Sequence, residues 1–212
     1  MTRIRALRTH PVIDGIITIV SAILIAYVVQ LLIVKPYRIP SESMVPTLEV
    51  RDRVITARFL LRFRDPHRGE IFVFHPNGHG SDVFQPAPGQ VAASSENYVK
   101  RVIGLPNETY GSLNGKVYIC PGNRVSTAII GDQLNTTQCH YLNEPYVHGQ
   151  PTTTCQGSSD LPPTYIPAKH YLMLGDNRTN SADGRCWGLI PRSQLIGRVF
   201  MTYWPLSRIS FR

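Results

Sequence analysis

The chain has 212 residues, enough for one domain of ordinary size with attachments, and 17% of them are charged, which is low for a soluble protein. Its net charge of +8 is compatible with a nucleic-acid partner, but the basic residues are scattered, with no helix-turn-helix or zinc pattern. We therefore predict no nucleic-acid partner, because a surface facing anionic phospholipid explains the same excess of charge.

The first predicted element is an apolar helix near the N-terminus. The run from Gly15 to Val34 carries no formal charge, and as a helix it would be about 30 Å long, matching the hydrocarbon core of a bilayer. A cleaved signal peptide, the alternative, usually has an apolar core of only about 7–15 residues. We predict a basic cytoplasmic tail at residues 1–12, a transmembrane helix at 13–34 in the cell membrane, and an extracytoplasmic domain at 35–212.

Two serines lie between two prolines shortly after this helix. Ser41 and Ser43 are flanked by Pro40 and Pro46, and proline restricts its own φ and the conformation of the preceding residue. We expect an extended or turning segment, and an extended backbone would direct both serine side chains to the same face. A capping or linker role is the alternative, since serines beside prolines are common in turns.

Short strand-like stretches make up most of the remaining chain. They are rich in β-branched and aromatic residues, and Gly, Pro and Asn turns separate them. The predicted strands are Arg53–Leu60, Glu70–Phe74, Tyr98–Gly104, Lys116–Ile119, Tyr171–Leu174 and Leu195–Tyr203. This pattern predicts a mainly β fold, an antiparallel sheet or barrel-like domain.

A polar segment, Pro76–Ser95, interrupts the strands and is predicted to be a flexible loop. His75 and His79 could bind a metal ion, but no third ligand lies nearby in the sequence. A solvated loop is the favoured interpretation, and we predict no metal site.

The four cysteines have neither zinc-site nor redox-motif spacing. An even number after a membrane segment favours disulfides, with reduced buried cysteines as the alternative. Residues 115–119 and 140–147 are predicted to be the two arms of a hairpin, which would place Cys120 opposite Cys139 at the base of an inserted loop. Cys155 and Cys186 would then form the second pair.

A lysine is the candidate base for a serine nucleophile. A serine hydroxyl needs a neighbouring base, and none of the seven histidines has a recognisable catalytic setting. Burial lowers the pKa of a lysine amine, so that more of the amine is unprotonated and able to accept a proton. Among the four lysines, Lys100 lies in an apolar strand pattern, although an outward-facing lysine is the more common arrangement.

A dense polar run, Gly175–Arg185, follows the apolar stretch Tyr171–Leu174. It is either a long polar turn or a buried network of charge-assisted hydrogen bonds. In the network, Asp176 would pair with Arg178, and Asp183 with Arg185. Ser181 would then lie next to the lysine amine and orient it.

Together these motifs resemble the type I signal peptidases, the membrane-anchored Ser/Lys proteases of the S26 family. In chain order, the matching segments are the nucleophile box Ser41–Leu48, the strand box Arg68–Phe74, the general-base box Lys100–Pro106 and the final box Gly175–Arg185. The departures from the family pattern are Glu42, Asn107-Glu108, Thr179, Gly184 and the insertion at 120–139.

The resemblance implies an enzyme that removes signal peptides from membrane-embedded preproteins without any cofactor. It implies Ser43 as nucleophile, Lys100 as general base and Ser181 as the hydroxyl that orients the lysine. It further implies that Ser41 and the backbone N–H of Ser43 form an oxyanion hole, and that Met44 helps to line shallow pockets for small residues before the cut. The alternatives are a self-cleaving Ser/Lys regulator and a non-catalytic, membrane-tethered β-domain that binds a partner.

Overall fold

A computed structural model describes residues 11–32, 34–75, 97–153 and 160–212, and it describes the side chains of the first helix as far as Tyr27. The predicted flexible loop at Pro76–Ser95 lies outside these residues, as does Cys155. His79, one of the two histidines considered for a metal site, also lies outside them.

The N-terminal helix, α1, runs from Pro11 to Leu32, close to the predicted bounds of 13–34. Its described side chains are mostly apolar and exposed, and the large ones are Val12, Ile13, Ile16, Ile17, Ile19, Val20, Ile23, Leu24, Ile25 and Tyr27. Over the residues that the structure describes, no helix has both the length and the apolar character needed to cross a bilayer.

The main sheet is antiparallel, and its described strands are numbered here in chain order. From edge to edge it contains β1 (Val34–Arg38), β2 (Arg53–Ala57), β13 (Leu195–Trp204), β3 (Ile71–Phe74), β4 (Tyr98–Gly104), β11 (His170–Leu174) and β12 (Ile190–Pro191), with β14 (Ser210–Phe211) paired to β13. The predicted mainly β, antiparallel fold is therefore confirmed.

A second antiparallel sheet lies beside the first. Its strands are β10 (Thr164–Tyr165), β5 (Glu108–Leu113), β6 (Lys116–Pro121) and β9 (His140–Tyr141), and a small hairpin of β7 (Ile129–Ile130) and β8 (Gln133–Leu134) lies within the insertion. The short helices are α2 (Leu60–Phe63) and α3 (Gly184–Trp187), and single 3₁₀ turns occur at Arg192–Gln194 and Leu206–Arg208.

The strand predictions differ from the structure mainly at their ends. The predicted strand Arg53–Leu60 stops at Ala57, because the chain turns into α2 three residues later. Strand β5 was not predicted, since its sequence includes Gly111 and several polar residues. That glycine allows a close approach, because a Cβ there would lie 2.2 Å from the hydroxyl oxygen of Tyr118.

Strand β3 lies at the centre of the core, and all four of its residues are buried. Ile71 and Val73 belong to a hydrophobic cluster that includes Met44, whereas Phe72 and Phe74 belong to another. Each face of the strand therefore packs against apolar side chains, and the strand paired with it, β4, places the buried Lys100 opposite Phe72.

A disulfide joins Cys120 to Cys139, with Cα atoms 4.2 Å apart, as predicted. The predicted hairpin is also present in shortened form, since Ile119 pairs with His140 in the β6–β9 ladder, one position before the disulfide. Cys186 is disulfide-bonded as well. Because Cys155 lies outside the described residues, its pairing with Cys186 stays a prediction.

Candidate active site

The two serines lie in a tight loop rather than on an extended strand. The loop is closed at its base, where the backbone N–H of Ile39 donates to the carbonyl of Asp52 at 2.9 Å. Inside it, Val45 N–H donates to the carbonyl of Glu42 at 3.1 Å, and the peptide bond between Val45 and Pro46 is cis. The segment is therefore turning, the second of the two conformations expected for it.

This loop brings the two serine hydroxyls together. The Oγ atoms of Ser41 and Ser43 lie 3.3 Å apart. Ser43 is 8% exposed, whereas Ser41 is open to solvent. One hydroxyl is thus enclosed by protein while its neighbour faces the surface.

Lys100 lies in β4, opposite Phe72 of β3, and is 2% exposed. Its Nζ lies 2.7 Å from Ser43 Oγ and 3.1 Å from the carbonyl oxygen of Val99. The ring of Tyr98 lies 5.7 Å from the same nitrogen. The predicted burial of Lys100 is confirmed, and the outward-facing alternative is excluded.

The position of Lys100 leaves more of its amine neutral near neutral pH than in an ordinary lysine, so that it is available as a base. Burial lowers the pKa of Lys100 from 10.5 to about 8, because removing the ammonium from water disfavours the charged form. The carboxylates of Asp183 and Asp176 act in the opposite direction, and Arg185 reinforces the lowering. At pH 8 about half of the amine is therefore neutral.

The polar run Gly175–Arg185 lies against the serine loop and donates hydrogen bonds to it. The backbone N–H of Asn177 donates to the carbonyl oxygen of Ser43 at 3.1 Å, and its side-chain amide donates to the carbonyl of Glu42 at 3.1 Å. The side-chain amide of Asn180 also donates to the Glu42 carboxylate at 3.1 Å. These bonds hold the backbone on both sides of the Ser43 nitrogen.

The acidic and basic residues of this run form a buried network, one of the two predicted arrangements. Asp176, Arg178 and Asp183 are 1%, 3% and 0% exposed. The predicted pair of Asp183 with Arg185 is confirmed, with Nε 2.8 Å from Oδ1. Asp183 also accepts a hydrogen bond from the backbone N–H of Gly175 at 2.9 Å.

The predicted pair of Asp176 with Arg178 is wrong. Asp176 instead accepts two hydrogen bonds from Arg101, at 2.8 and 2.5 Å, because β11 pairs with β4 and places Leu174 opposite Arg101. Arg178 turns away and pairs with Glu144. The pairing of adjacent strands, rather than the spacing of residues along the loop, therefore determines which arginine Asp176 contacts.

Ser181 lies beside the catalytic candidates but makes no hydrogen bond to the lysine. Its Oγ is buried and has no hydrogen-bond partner within the described residues. It packs against Gly175, where an added Cβ would lie 2.2 Å from that oxygen. In this structure the lysine amine contacts Val99 and Ser43 instead.

Met44 was expected to line a substrate pocket, and the structure corrects this expectation. The side chain is 1% exposed and packs in the core with Leu48, Val54 and Val73. The turn that exposes Ser41 directs the next apolar residues inward, so Met44 anchors the loop rather than contacting solvent.

Three functional neighbours were missed in the sequence. Arg101 could have been identified, since it is a charged residue inside an apolar strand, directly after Lys100. For Asn177, the only indication in the sequence is the polarity of the run in which it lies. No feature of the sequence indicates Glu144, because its contact with Arg178 joins residues that are 34 positions apart.

The arrangement suits acyl transfer by a serine. A neutral amine at 2.7 Å can accept the proton of the Ser43 hydroxyl as its oxygen attacks a carbonyl carbon. In the described part of the chain, no group of three His, Cys, Asp or Glu side chains could bind a metal ion.

Residues 12–204 of the chain match the family described as signal peptidase, peptidase S26. A signal peptidase I of Leptolyngbya laminosa is 35% identical over 94% of this chain and 83% of its own length. Signal peptidase IB of Staphylococcus aureus (strain MRSA252) is 30% identical over 94% and 93% of the two chains. A crystal structure of a signal peptidase I from Enterococcus faecalis V583 covers 64% of this chain and 97% of its own, at 22% identity and a TM-score of 0.40.

Proposed function

This chain belongs to the signal peptidase family, peptidase S26, and we propose that it is a serine endopeptidase that removes N-terminal signal peptides from preproteins, with Ser43 and Lys100 as its catalytic pair. The observation that carries the proposal is the 2.7 Å contact between the Lys100 amine and the Ser43 hydroxyl in a buried site. Family membership supports the reaction class, and this contact supports the assignment of the two residues.

In the proposed mechanism, Lys100 Nζ accepts the proton of Ser43 as Oγ attacks the scissile carbonyl. The resulting tetrahedral intermediate collapses when the amine, now an ammonium, gives its proton to the leaving amino group of the mature protein. The signal peptide remains as an ester on Ser43. The neutral amine then activates a water molecule, which hydrolyses the ester and restores the free serine.

The oxyanion that forms during this reaction needs donors in place. We assign this role to the hydroxyl of Ser41, 3.3 Å from Ser43 Oγ, together with the backbone N–H of Ser43. The bonds from Asn177 to the backbone of Glu42 and Ser43 fix the direction of that N–H. Ser181 is assigned to orient the lysine, and its buried, unpaired hydroxyl is available within the described residues for the ammonium that forms during turnover.

The proposed substrates are preproteins with small residues before the cut, of the Ala-x-Ala type, presented at a phospholipid membrane. We assign α1 as the anchor, with the N-terminus in the cytoplasm and the catalytic domain outside. The charge-free run from Gly15 to Val34 supports this assignment, as do the exposed apolar side chains of the helix. Ten residues, 33–42, separate the end of α1 from Ser43, so tethering would limit the depth of the site relative to the lipid.

Cleavage of a synthetic signal peptide carrying an Ala-x-Ala site tests the proposal. The detergent-solubilised protein should cut after the second alanine, and Ser43→Ala should not. A covalent adduct of a penem inhibitor at Ser43 would separate this enzyme from a non-catalytic binding domain. Cleavage by Ser43→Ala at the wild-type rate would overturn the assignment of the nucleophile.

The membrane assignment has its own test. The full chain should stay with the membrane after extraction at alkaline pH, whereas a chain that starts at Val34 should be released. Release of the full chain under the same conditions would contradict the anchor without affecting the chemistry assigned to the site.

A further inference from the structure

Residues 142–152, called the arch here, cross from the second sheet to the catalytic loop. The arch starts where the N–H of Leu142 donates to the carbonyl of Val117 at 2.9 Å, and it ends where the N–H of Thr152 donates to the carbonyl of Gly115 at 2.8 Å. Strand β9 and the described disulfide directly precede it. Both ends of the arch are thus fixed to the β5–β6 hairpin.

The first contact of the arch with the catalytic loop is made by Glu144. Its carboxylate accepts hydrogen bonds from both terminal nitrogens of Arg178, and one of these nitrogens also donates to Thr152 Oγ1. The Arg178 side chain is fully buried, and that of Glu144 is 10% exposed. Arg178 in turn donates from Nε to the carbonyl of Gly175 at 3.1 Å. Glu144 therefore holds the arginine that supports the Gly175 peptide.

The second contact is made by Tyr146. Its ring centroid lies 3.9 Å from the guanidinium carbon of Arg101, which is the residue after Lys100 and the partner of Asp176. The Tyr146 hydroxyl donates to Glu144 at 3.0 Å, so the two arch residues also support each other. The arch therefore contacts an immediate neighbour of the general base.

These contacts reach the nucleophile through backbone atoms. At Gly175, an added Cβ would lie 2.5 Å from the carbonyl oxygen of Ser43, so the two backbones are in direct contact. Two residues later, Asn177 donates its N–H to the same oxygen. A shift of the Gly175 peptide would consequently displace Ser43, and interior packing leaves little room to absorb it.

We propose that Glu144 and Tyr146 are positioning residues, which set the geometry of the catalytic pair through Arg178 and Arg101. The arch belongs to the segment that follows the disulfide, and the proposal gives that segment a role in the reaction. It rests on the proposed function, since the geometry in question is that of the serine and lysine assigned there.

Glu144→Gln tests the first contact. The amide keeps the shape but lacks the charge, so Arg178 stays buried without its counter-ion. We expect kcat for the signal peptide to fall about 10- to 100-fold while KM changes less than about 3-fold, because the catalytic pair is displaced and the substrate surface is not. Glu108→Gln is the matched control, since it breaks another partly buried ion pair, with Arg68, and should leave kcat unchanged.

Tyr146 allows a comparison between a conservative and a disruptive change. Tyr146→Phe keeps the ring over Arg101 and should retain most of the wild-type kcat. Tyr146→Leu removes the ring and should lower kcat about 2- to 5-fold further, the loss of a single cation–π contact. Equal rates for the two variants would contradict a role for the stacked ring.

Amide hydrogen exchange gives a readout that does not depend on activity. In Glu144→Gln, the amides of Gly175–Thr179 should exchange faster than in the wild type, while those of β3 should not change. Unchanged exchange in this loop, or a kcat equal to wild type, would overturn the inference. If the wild type itself neither cleaves the peptide nor binds a penem at Ser43, the proposed function fails, and the exchange result still decides whether the arch positions the loop.

Discussion

The amine nitrogen of Lys100 lies 2.7 Å from the hydroxyl oxygen of Ser43, although the two residues are 57 positions apart in the chain. Strand β4 buries the lysine, and the loop Gly175–Arg185 holds the serine by its carbonyl oxygen. Neither group reacts well alone, because a serine without a base is a weak nucleophile and a lysine in water is protonated. The contact, the burial and the support of the loop can each be disturbed separately.

Replacement of Lys100 by methionine disturbs the contact. The side chain has a similar length and suits an apolar site, so Lys100→Met should fold while kcat falls about 10²- to 10⁴-fold, the usual contribution of a general base. Cleavage assays with circular dichroism as a check on folding would measure this. Cleavage at more than a tenth of the wild-type rate would refute the assignment of the base.

The pH dependence of cleavage should follow the lysine. Because the pKa of Lys100 is lowered to about 8, the neutral base becomes abundant as the pH rises through that value. We expect kcat/KM to increase about tenfold per pH unit below pH 8 and to level off above it. Initial rates between pH 6 and pH 10 would show this limb, and a rate that is flat between pH 6 and pH 8 would contradict it.

The same burial should make the lysine costly to the fold. The pKa of Lys100 is about 8 in the folded protein and 10.5 for an ordinary lysine, as in the unfolded chain. Between pH 8 and pH 10.5 the unfolded chain therefore binds more protons than the folded protein, and stability rises with pH. Below pH 8 the full penalty applies, and Lys100→Met should raise the free energy of unfolding by up to roughly 3 kcal/mol. Urea denaturation at pH 7 and pH 10.5 would measure the gain, which should shrink at the higher pH.

Gly175 is where the loop and the serine backbone are closest. In Gly175→Ala the added Cβ would lie 2.5 Å from the carbonyl oxygen of Ser43, which cannot move without moving the nucleophile. We expect a loss of about 1–3 kcal/mol in stability and a fall in kcat of the folded enzyme. In Gly104→Ala, the control, the Cβ meets the end of the Ile166 side chain at 2.3 Å and Leu172 Cβ at 3.0 Å but no atom of Ser43, so stability should fall while kcat of the folded fraction is kept.

The structure shows which parts of the site were within reach of sequence reasoning. The burial of Lys100 was predictable because its strand is apolar, whereas the choice of Ser43 and Lys100 as a pair came from the resemblance to the signal peptidases. The pairing of Asp183 with Arg185 was predictable because both lie in one short turn. Asp176 was assigned to the wrong arginine because its real partner, Arg101, comes from an adjacent strand.

Met44 shows a different limit. The resemblance implied that Met44 contacts substrate, but the side chain is buried and packs in the core directly after the turn at Ser41–Ser43. The predicted strand Arg53–Leu60 is too long for a similar reason, since Phe59 and Leu60 also fit the helical turn that forms there. Local sequence patterns do not determine which side chains are buried or where a strand ends; the packing of the whole sheet does.

The Cys120–Cys139 disulfide should contribute to stability as well as to the placement of the arch. The bond closes a loop with a sequence separation of 19 and, in the chain-entropy model, is worth roughly 3 kcal/mol. It also packs in a small hydrophobic cluster with Tyr118, Ala128 and Leu134. The variant with both cysteines changed to serine should unfold at a lower urea concentration and with a larger m-value, because the unfolded chain without the bond exposes more surface. Serine at these positions also places a hydroxyl in that cluster, so the variant with both cysteines changed to alanine is the better comparison. A decrease of less than about 1 kcal/mol in the free energy of unfolding of the alanine variant would contradict the chain-entropy model. If the bond also sets the start of the arch, kcat of the folded alanine variant should fall as it does in Glu144→Gln.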